Sequence, residues 1–137
     1  METVFQYEEM GTLWKITVYE NLSEEVRTKL EEEIRSKLQH FDSLYSRFKK
    51  TSLVYDLSTK VGVFEVPADL VSILRVYKEV YELSEKKFTP CIGSLLEDVG
   101  YDSSYSLEEK ENKRIVPDFG EALYIIDDTH IKLKQHV

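Results

Sequence analysis

The chain has 137 residues, with 18 Lys and Arg against 26 Asp and Glu, so its formal net charge is −8. This length suits one domain with its own hydrophobic core, and we predict a single domain over residues 1–137. Because no basic run is longer than Lys49-Lys50 or Lys86-Lys87, the charge disfavours nucleic acid and anionic membrane surfaces as partners.

Residues 1–45 have the pattern of strands followed by a long helix. Apolar and polar residues tend to alternate over residues 3–7 and 13–19, which predicts strands with one solvated face. Gly11, between these runs, predicts a bulge or a tight bend. Ser23 is a suitable N-cap, and apolar residues then recur at helical spacing, so we predict a helix over residues 24–41, or as far as residue 45.

The middle of the chain predicts a loop, a strand and a second long helix. Residues 42–60 are rich in Ser, Thr and Lys and predict a loop with a helical turn at residues 53–57. A strand is predicted at residues 61–66. Pro67 suits the first turn of a helix, and an apolar stripe at helical spacing then continues to about Leu83.

The C-terminal part predicts a polar, acidic surface loop at residues 102–113, followed by a β-hairpin across an Asp-rich turn. We therefore predict an α+β fold, in which one antiparallel or mixed sheet packs against two long amphipathic helices. The strands of this sheet are residues 13–19, 61–66, 122–126 and 131–134.

A helix-to-helix corner is predicted between the second long helix and the surface loop. Pro90 cannot continue a helix, and a short apolar period resumes afterwards at Ile92, Leu95, Leu96 and Val99. The backbone N–H groups of residues 91–95 would then begin the next helix, where unpaired donors attract an anion such as phosphate. The alternative is an ordinary corner between two helices, without a ligand.

Three short motifs occur in order along the chain, with a predicted helix between each. The first two are Met10-Gly11-Thr12 and Ser46-Arg47-Phe48. The third lies in residues 84–100 and consists of Phe88, Pro90, Gly93, Leu95 and Gly100. Over residues 10–130 these motifs resemble the ApbE family of FAD:protein FMN transferases. That family has Met-Gly-Thr, then Ser-Arg-Tyr, then Ala-Phe-Asp-Pro-Thr-Val-Gly-Pro-Leu before a tryptophan–glycine pair.

The resemblance implies that the chain binds FAD through Met10, Phe48, Lys87, Phe88 and Thr89. A thioether and an aromatic ring can sandwich a flat ring system, and backbone N–H groups around Thr89 can hydrogen-bond the cofactor. Phe48 stands where the family has Tyr, Lys87 where it has a small residue, and Thr89 where it has Asp. The alternative is that Met10, Phe48 and Phe88 are core residues. The flavin interpretation predicts that Met10 and Phe88 converge on one pocket.

The resemblance also implies transfer of FMN from FAD to a threonine of an acceptor flavoprotein, with Mg²⁺ neutralising charge on the phosphates. The family's magnesium ligands and catalytic histidine lie in segments beyond the part matched here. We therefore expect a flavin-recognising N-terminal portion with weak or no activity alone. The alternative is a non-catalytic binding or interaction module. An open sheet edge and apolar face after the hairpin predict a homo-oligomer or a complementing chain.

Other chemistry has little support in the sequence. Cys91 is the only cysteine, which excludes an internal disulfide, a cysteine-rich zinc site and a CxxC pair. A nucleophile pair of Cys91 and His40 is supported only by the presence of both residues. Asp127-Asp128 can either ligate a cation or form hydrogen bonds with the backbone of the hairpin turn. No apolar run approaches the about 20 residues of a membrane span, and no secretion signal is present, so we predict a cytoplasmic protein.

Overall fold

The computed structural model describes residues 2–137, and Met1, the first residue of the predicted domain, lies outside the described residues. The chain divides into two compact units, Met1–Val54 and Tyr55–Val137, and the single domain stays a prediction. The elements in chain order are β1 (Thr3–Glu9), β2 (Thr12–Val18), α1 (Glu24–Tyr45), α2 (Leu53–Ser58), β3 (Gly62–Glu65), α3 (Ala68–Leu83), α4 (Gly93–Asp98), α5 (Phe119–Ala122), β4 (Leu123–Ile125) and β5 (His130–Leu133).

The first unit begins with a tight antiparallel hairpin of β1 and β2. Glu9 pairs with Thr12, so Met10 and Gly11 alone form the connecting loop. Both have positive φ, 55° for Met10 and 67° for Gly11, as a type I′ turn requires. This confirms the tight bend predicted at Gly11.

Helix α1 packs on the hairpin through β1. The side chain of Tyr7 is buried, and the guanidinium of Arg35 lies 5.2 Å from the centre of its ring. The N-cap is Ser23, whose Oγ accepts a hydrogen bond from the N–H of Val26. The helix ends at Tyr45, the farther of the two predicted limits, and none of its side chains is fully buried.

The second unit contains a three-stranded antiparallel sheet in the order β3-β5-β4. The α+β class is confirmed, but the strands form two sheets where one was predicted. Strand β2 pairs with β1 instead of with the later strands because a two-residue turn closes the shortest loop, at the lowest cost in chain entropy.

One face of this sheet is buried and the other is exposed. Ile131 and Leu133 of β5 are among the most buried side chains of the described residues. Val63 and Tyr124 lie on the opposite face with Lys132, and all three are exposed. Helix α3 contacts β4 and α5, and it buries Leu70, Val71, Leu74 and Tyr81.

The start of the C-terminal hairpin differs from the prediction. Ala122 was predicted to begin a strand but instead ends the short helix α5. The cause is Asp118, whose carboxylate caps this helix by accepting a hydrogen bond from the N–H of Gly120 at 2.9 Å. A single capping side chain thus outweighs the strand propensity of the run that follows. Among residues 2–137, the helices lack the combination of length and apolarity that a membrane crossing requires.

The predicted surface loop after α4 is anchored by a buried carboxylate. Asp98 is only 2% exposed, and it accepts hydrogen bonds from Lys110 Nζ and from the backbone and guanidinium of Arg114. The hydrogen bonds from Arg114 hold the pKa of Asp98 well below its usual range. Gly100 turns the chain into this loop with a φ of 87°.

We predict that Gly100→Ala destabilises the protein by about 1–3 kcal/mol, because the new Cβ combines left-handed backbone strain with a steric clash. A Cβ at Gly100 would lie 2.4 Å from the backbone N of Glu108, whereas one at Gly93 in α4 meets nothing within 4 Å. Urea unfolding measures both variants. Gly93→Ala is the control and should change stability by no more than about 1 kcal/mol. Equal losses in the two variants would contradict this account of the loop.

Candidate functional site

The predicted corner between α3 and α4 exists and begins with two residues in left-handed conformation. Glu85 has a φ of 52° and Lys86 a φ of 68°. The N–H of Lys86 donates to the carbonyl of Tyr81 at 2.8 Å, which closes the C-terminus of α3. Residues 84–90, named here the 84–90 corner, then carry three of the five predicted site residues.

Phe88 is 49% exposed, so it is not a core residue. Its ring stacks on that of Tyr77 in α3, with 5.2 Å between ring centroids and 14° between ring planes. Its backbone N–H donates to Ser84 Oγ at 3.0 Å. The sequence placed Tyr77 in the apolar stripe of α3, but no local pattern indicated that it would meet Phe88.

Lys87 and Thr89 flank Phe88 and have different surroundings. Lys87 is exposed and lies 3.5 Å from a carboxylate oxygen of Glu85. Thr89 Oγ1 accepts a hydrogen bond from the N–H of Cys91 at 3.2 Å. The N–H groups of Phe88 and Cys91 are therefore already hydrogen-bonded within the corner. Because α4 has only six residues, its dipole does not support the predicted anion site at residues 91–95.

The carboxylate of Asp118 ties the corner to two helices, and we call these contacts the Asp118 clamp. Its Oδ2 accepts hydrogen bonds from Tyr81 Oη at 2.9 Å and from Lys86 Nζ at 2.8 Å, while its Oδ1 caps α5. The hydrogen bond from Lys86 lowers the pKa of Asp118, and the same bond raises the pKa of Lys86. Sequence reasoning missed Asp118, although an Asp preceding Phe119-Gly120 is a recognisable N-cap pattern.

The structure argues against the cysteine hypothesis and assigns the Asp-rich turn a structural role. Cys91 is 1% exposed, and burial raises its pKa to about 11, so the thiol stays protonated near neutral pH. Asp127 Oδ1 accepts a hydrogen bond from the N–H of Thr129 at 2.8 Å and lies 3.0 Å from His130 Nδ1. Within residues 2–137, no three His, Cys, Asp or Glu side chains cluster closely enough to hold a metal ion.

The other two predicted site residues belong to the first unit. Met10 is half-buried and occupies the first position of the type I′ turn. Phe48 is half-buried, and the guanidinium of Arg47 lies 4.1 Å from the centre of its ring. The loop that carries Phe48 is closed by Ser52, whose Oγ donates to the carbonyl of Ser46 at 2.6 Å.

The candidate residues are thus divided between the units. Lys87, Phe88 and Thr89 share the 84–90 corner of the second unit, whereas Met10 and Phe48 lie in two loops of the first. The convergence of Met10 and Phe88 on one pocket stays a prediction. Most of the motif residues lie in turns or loops, but Thr12 begins β2, and Gly93 and Leu95 lie in α4.

The model of the ApbE family matches residues 10–136 of the chain. The chain belongs to the ApbE family. Membership confirms the resemblance that the three motifs indicated, and the match continues beyond residue 130, where the motif resemblance ended. No curated protein matches the chain in sequence.

Solved ApbE structures have the same fold despite low sequence identity. The flavinyl transferase ApbE of Pseudomonas stutzeri, in its apo form, aligns with 99% of the chain at a TM-score of 0.74 and 14% identity. The ApbE protein of Thermotoga maritima aligns with 100% at a TM-score of 0.75 and 18% identity. A mutant of the flavin transferase ApbE from Vibrio cholerae aligns with 99% at a TM-score of 0.78 and 15% identity.

The chain spans about half the length of these ApbE structures, since the alignments cover 48%, 46% and 49% of them respectively. The shared fold therefore concerns one part of an ApbE protein. Within that part, this family member differs from the motif pattern at Phe48, Lys87 and Thr89. Thr89 carries a hydroxyl that hydrogen-bonds its own corner where the motif pattern has a carboxylate.

We predict that Asp118→Asn loosens the 84–90 corner, because the amide can still cap α5 but no longer pairs with the ammonium group of Lys86. Tryptic cleavage after Lys86 or Lys87 in the folded protein should be several-fold faster than in the unmutated chain. Asp127→Asn is the control, since it removes a hydrogen-bonded carboxylate from the β4–β5 turn instead. Unchanged cleavage in Asp118→Asn would contradict the clamp.

The clamp should also contribute to stability over a defined range of pH. Asp118 has a lowered pKa, so its contribution is complete above the ordinary Asp value of about 4 and is lost as the pH falls through the folded-state value. Lys86 has a raised pKa, so its contribution is complete below the ordinary Lys value of about 10.4 and is lost at higher pH. The difference in melting temperature between wild type and Asp118→Asn should therefore shrink below about pH 4.

Proposed function

We propose that this chain is a flavin-recognising part of an ApbE-type FAD:protein FMN transferase. FAD would be the ligand, and the acceptor would be a threonine of a flavoprotein. The observation that carries the proposal is the half-exposed Phe88, which is backed by Tyr77 and lies in a corner held by Asp118. A large aromatic ring kept at the surface is available to a flat ligand ring.

The backbone at Met10 provides separate support. Type I′ turns favour Asn, Asp or Gly at this position, because other residues are strained by about 1 kcal/mol or more in the left-handed conformation. Met10 nevertheless has a φ of 55°. Strain of this kind persists at functional sites, and we propose that the Met10 thioether contacts the flat ring of the flavin.

The charges beside the aromatic candidates suit a ligand that combines flat rings with phosphates. Although the chain has a net charge of −8, Arg47 lies over Phe48, and Lys86 and Lys87 directly precede Phe88. FAD has this combination of aromatic rings and anionic phosphates. We propose that Phe48 contacts a ring of FAD, and that Lys87 and the backbone at Thr89 face its polar groups.

The described residues do not fit a magnesium site, since they contain no cluster of three candidate ligands. We propose that the ligands for this ion lie outside residues 2–137, and that these residues transfer little or no FMN alone. Association with a complementing chain or with a second copy stays a prediction, as does the cytoplasmic location. The exposed apolar face at Val63 and Tyr124 is compatible with association.

We predict that the protein binds FAD and that Phe88→Leu weakens binding about 10-fold, because leucine removes the stacking surface. Titration of FAD fluorescence measures the dissociation constants. Tyr124→Leu is the matched control, since Tyr124 is also an exposed aromatic but lies on the open face of the sheet. Absence of any FAD response would contradict the proposed function. Formation of covalent FMN by this chain alone, after addition of Mg²⁺ and an acceptor flavoprotein, would contradict the proposal that it transfers little or no FMN by itself.

We predict that Met10→Asn makes the protein more stable by about 0.5–1 kcal/mol and weakens FAD binding. Asparagine relieves the strain of the left-handed backbone but removes the thioether. Urea unfolding and FAD titration on the same preparation measure the two effects. Met10→Leu is the control for the backbone, because it keeps the strain while replacing the sulfur. Unchanged FAD affinity in Met10→Asn would exclude Met10 from the site.

A further inference from the structure

The stacked pair of Tyr77 and Phe88 leaves Phe88 partly open to solvent. The near-parallel planes, 14° apart with centroids 5.2 Å apart, place Tyr77 over one face of the Phe88 ring. Phe88 is still 49% exposed. Part of the Phe88 surface thus stays open to solvent although Tyr77 packs against its ring, and this uncovered surface is called the open face of Phe88.

Both rings of the pair are attached to backbone that is held in place. Tyr77 lies in the interior of α3, between Leu74 and Tyr81, whose buried side chains fix the helix in the core of the second unit. Phe88 is held at its backbone by Ser84 Oγ, and the corner is held by the Asp118 clamp. The pair is therefore ordered before a ligand arrives, which lowers the entropy cost of binding.

We propose that Tyr77 is a positioning residue that holds the open face of Phe88 ready to stack on a planar heteroaromatic ring, so that ligand binding extends two stacked rings to three. The identity of the ligand as a flavin nucleotide rests on the proposed function. The stack itself would accept either the isoalloxazine or the adenine ring of FAD. Lys86 and Lys87 precede Phe88 in the chain, but their ammonium groups already pair with Asp118 and Glu85, so the ring of Phe88 carries the inference.

The role of Tyr77 depends on its ring and not on its hydroxyl. Replacing Tyr77 by Leu removes the surface against which Phe88 rests, and Phe88 then gains rotamer freedom that binding must remove again. We expect the dissociation constant for the ligand to rise about 3- to 10-fold. Tyr77→Phe preserves the stacked ring and should bind as the wild type does.

The test measures dissociation constants for FAD, FMN and ADP with the full chain and with Tyr77→Leu, Tyr77→Phe and Phe88→Leu. Melting temperatures of all four proteins are recorded alongside. Tyr77→Leu should weaken binding of FAD and of whichever half-ligand stacks on Phe88, while Tyr77→Phe restores it at a similar melting temperature. FMN identifies stacking of the isoalloxazine ring, and ADP identifies stacking of adenine. The absorbance shift of bound flavin should also diminish in Tyr77→Leu if isoalloxazine is the stacked ring.

The outcomes separate this inference from the proposed function. If Phe88→Leu weakens binding but Tyr77→Leu does not, the positioning role of Tyr77 is wrong and the proposed function stands. Equal losses in Tyr77→Phe and Tyr77→Leu would also overturn it, because the hydroxyl and not the ring would then matter. If the wild type binds ADP but neither FAD nor FMN, the proposed function fails while the stacking role can still be judged with ADP.

Discussion

The Asp118 carboxylate is the contact on which the candidate site most depends. It caps α5 through one oxygen and joins Tyr81 of α3 to Lys86 of the 84–90 corner through the other. The end of α3 with its adjoining corner and the start of α5, which are distant in sequence, are thereby held together. The ion pair between Asp118 and Lys86 is partly exposed, so the Coulomb attraction between the two groups is modest and is screened by salt. The contribution of this ion pair is geometric, because Lys86 lies within the corner that carries Phe88.

Backbone strain occurs in two of the candidate ligand segments and in the loop after α4. Non-glycine residues with positive φ occur at Met10 in the hairpin turn and at Glu85 and Lys86 in the corner. Tyr105 and Leu107, in the loop after α4, are also in this conformation. Each such residue costs about 1 kcal/mol or more and is retained only where surrounding contacts fix the backbone. At the corner these contacts include the clamp, and in the later loop they include the buried carboxylate of Asp98.

The two units contribute different kinds of candidate residues. The first offers a thioether on a tight turn and an aromatic ring beside Arg47, and the second offers Phe88, which Tyr77 already supports. Family membership relates these segments to one another through shared ancestry, and the solved ApbE structures share the fold with about twice the chain length. Flavin recognition is therefore a proposal about this part of the fold, and transfer of FMN is a proposal about a larger assembly.

The sequence alone predicted features that depend on neighbouring residues. The periodicity of α1 and α3, the Ser23 cap and the Gly11 turn are local, because capping, turn geometry and an amphipathic stripe involve residues only a few positions apart. The motifs around Met10, Phe48 and Phe88 indicated the family because each consists of residues close together in the sequence. Ala122 was wrongly predicted to begin a strand, because the residues after it have strand propensity and the helix N-cap at Asp118 was not recognised.

Tertiary structure decided the contacts between residues distant in sequence. The stack of Tyr77 on Phe88, the clamp of Asp118 on Lys86 and the burial of Asp98 against Arg114 join residues separated by 11, 32 and 16 positions. No periodicity or turn rule encodes such pairs, since any of several aromatic or charged residues would satisfy the pattern equally well. The same holds for the division of strands into two sheets. Only the packed chain selects which partners meet, because that choice depends on how all the apolar faces are buried together.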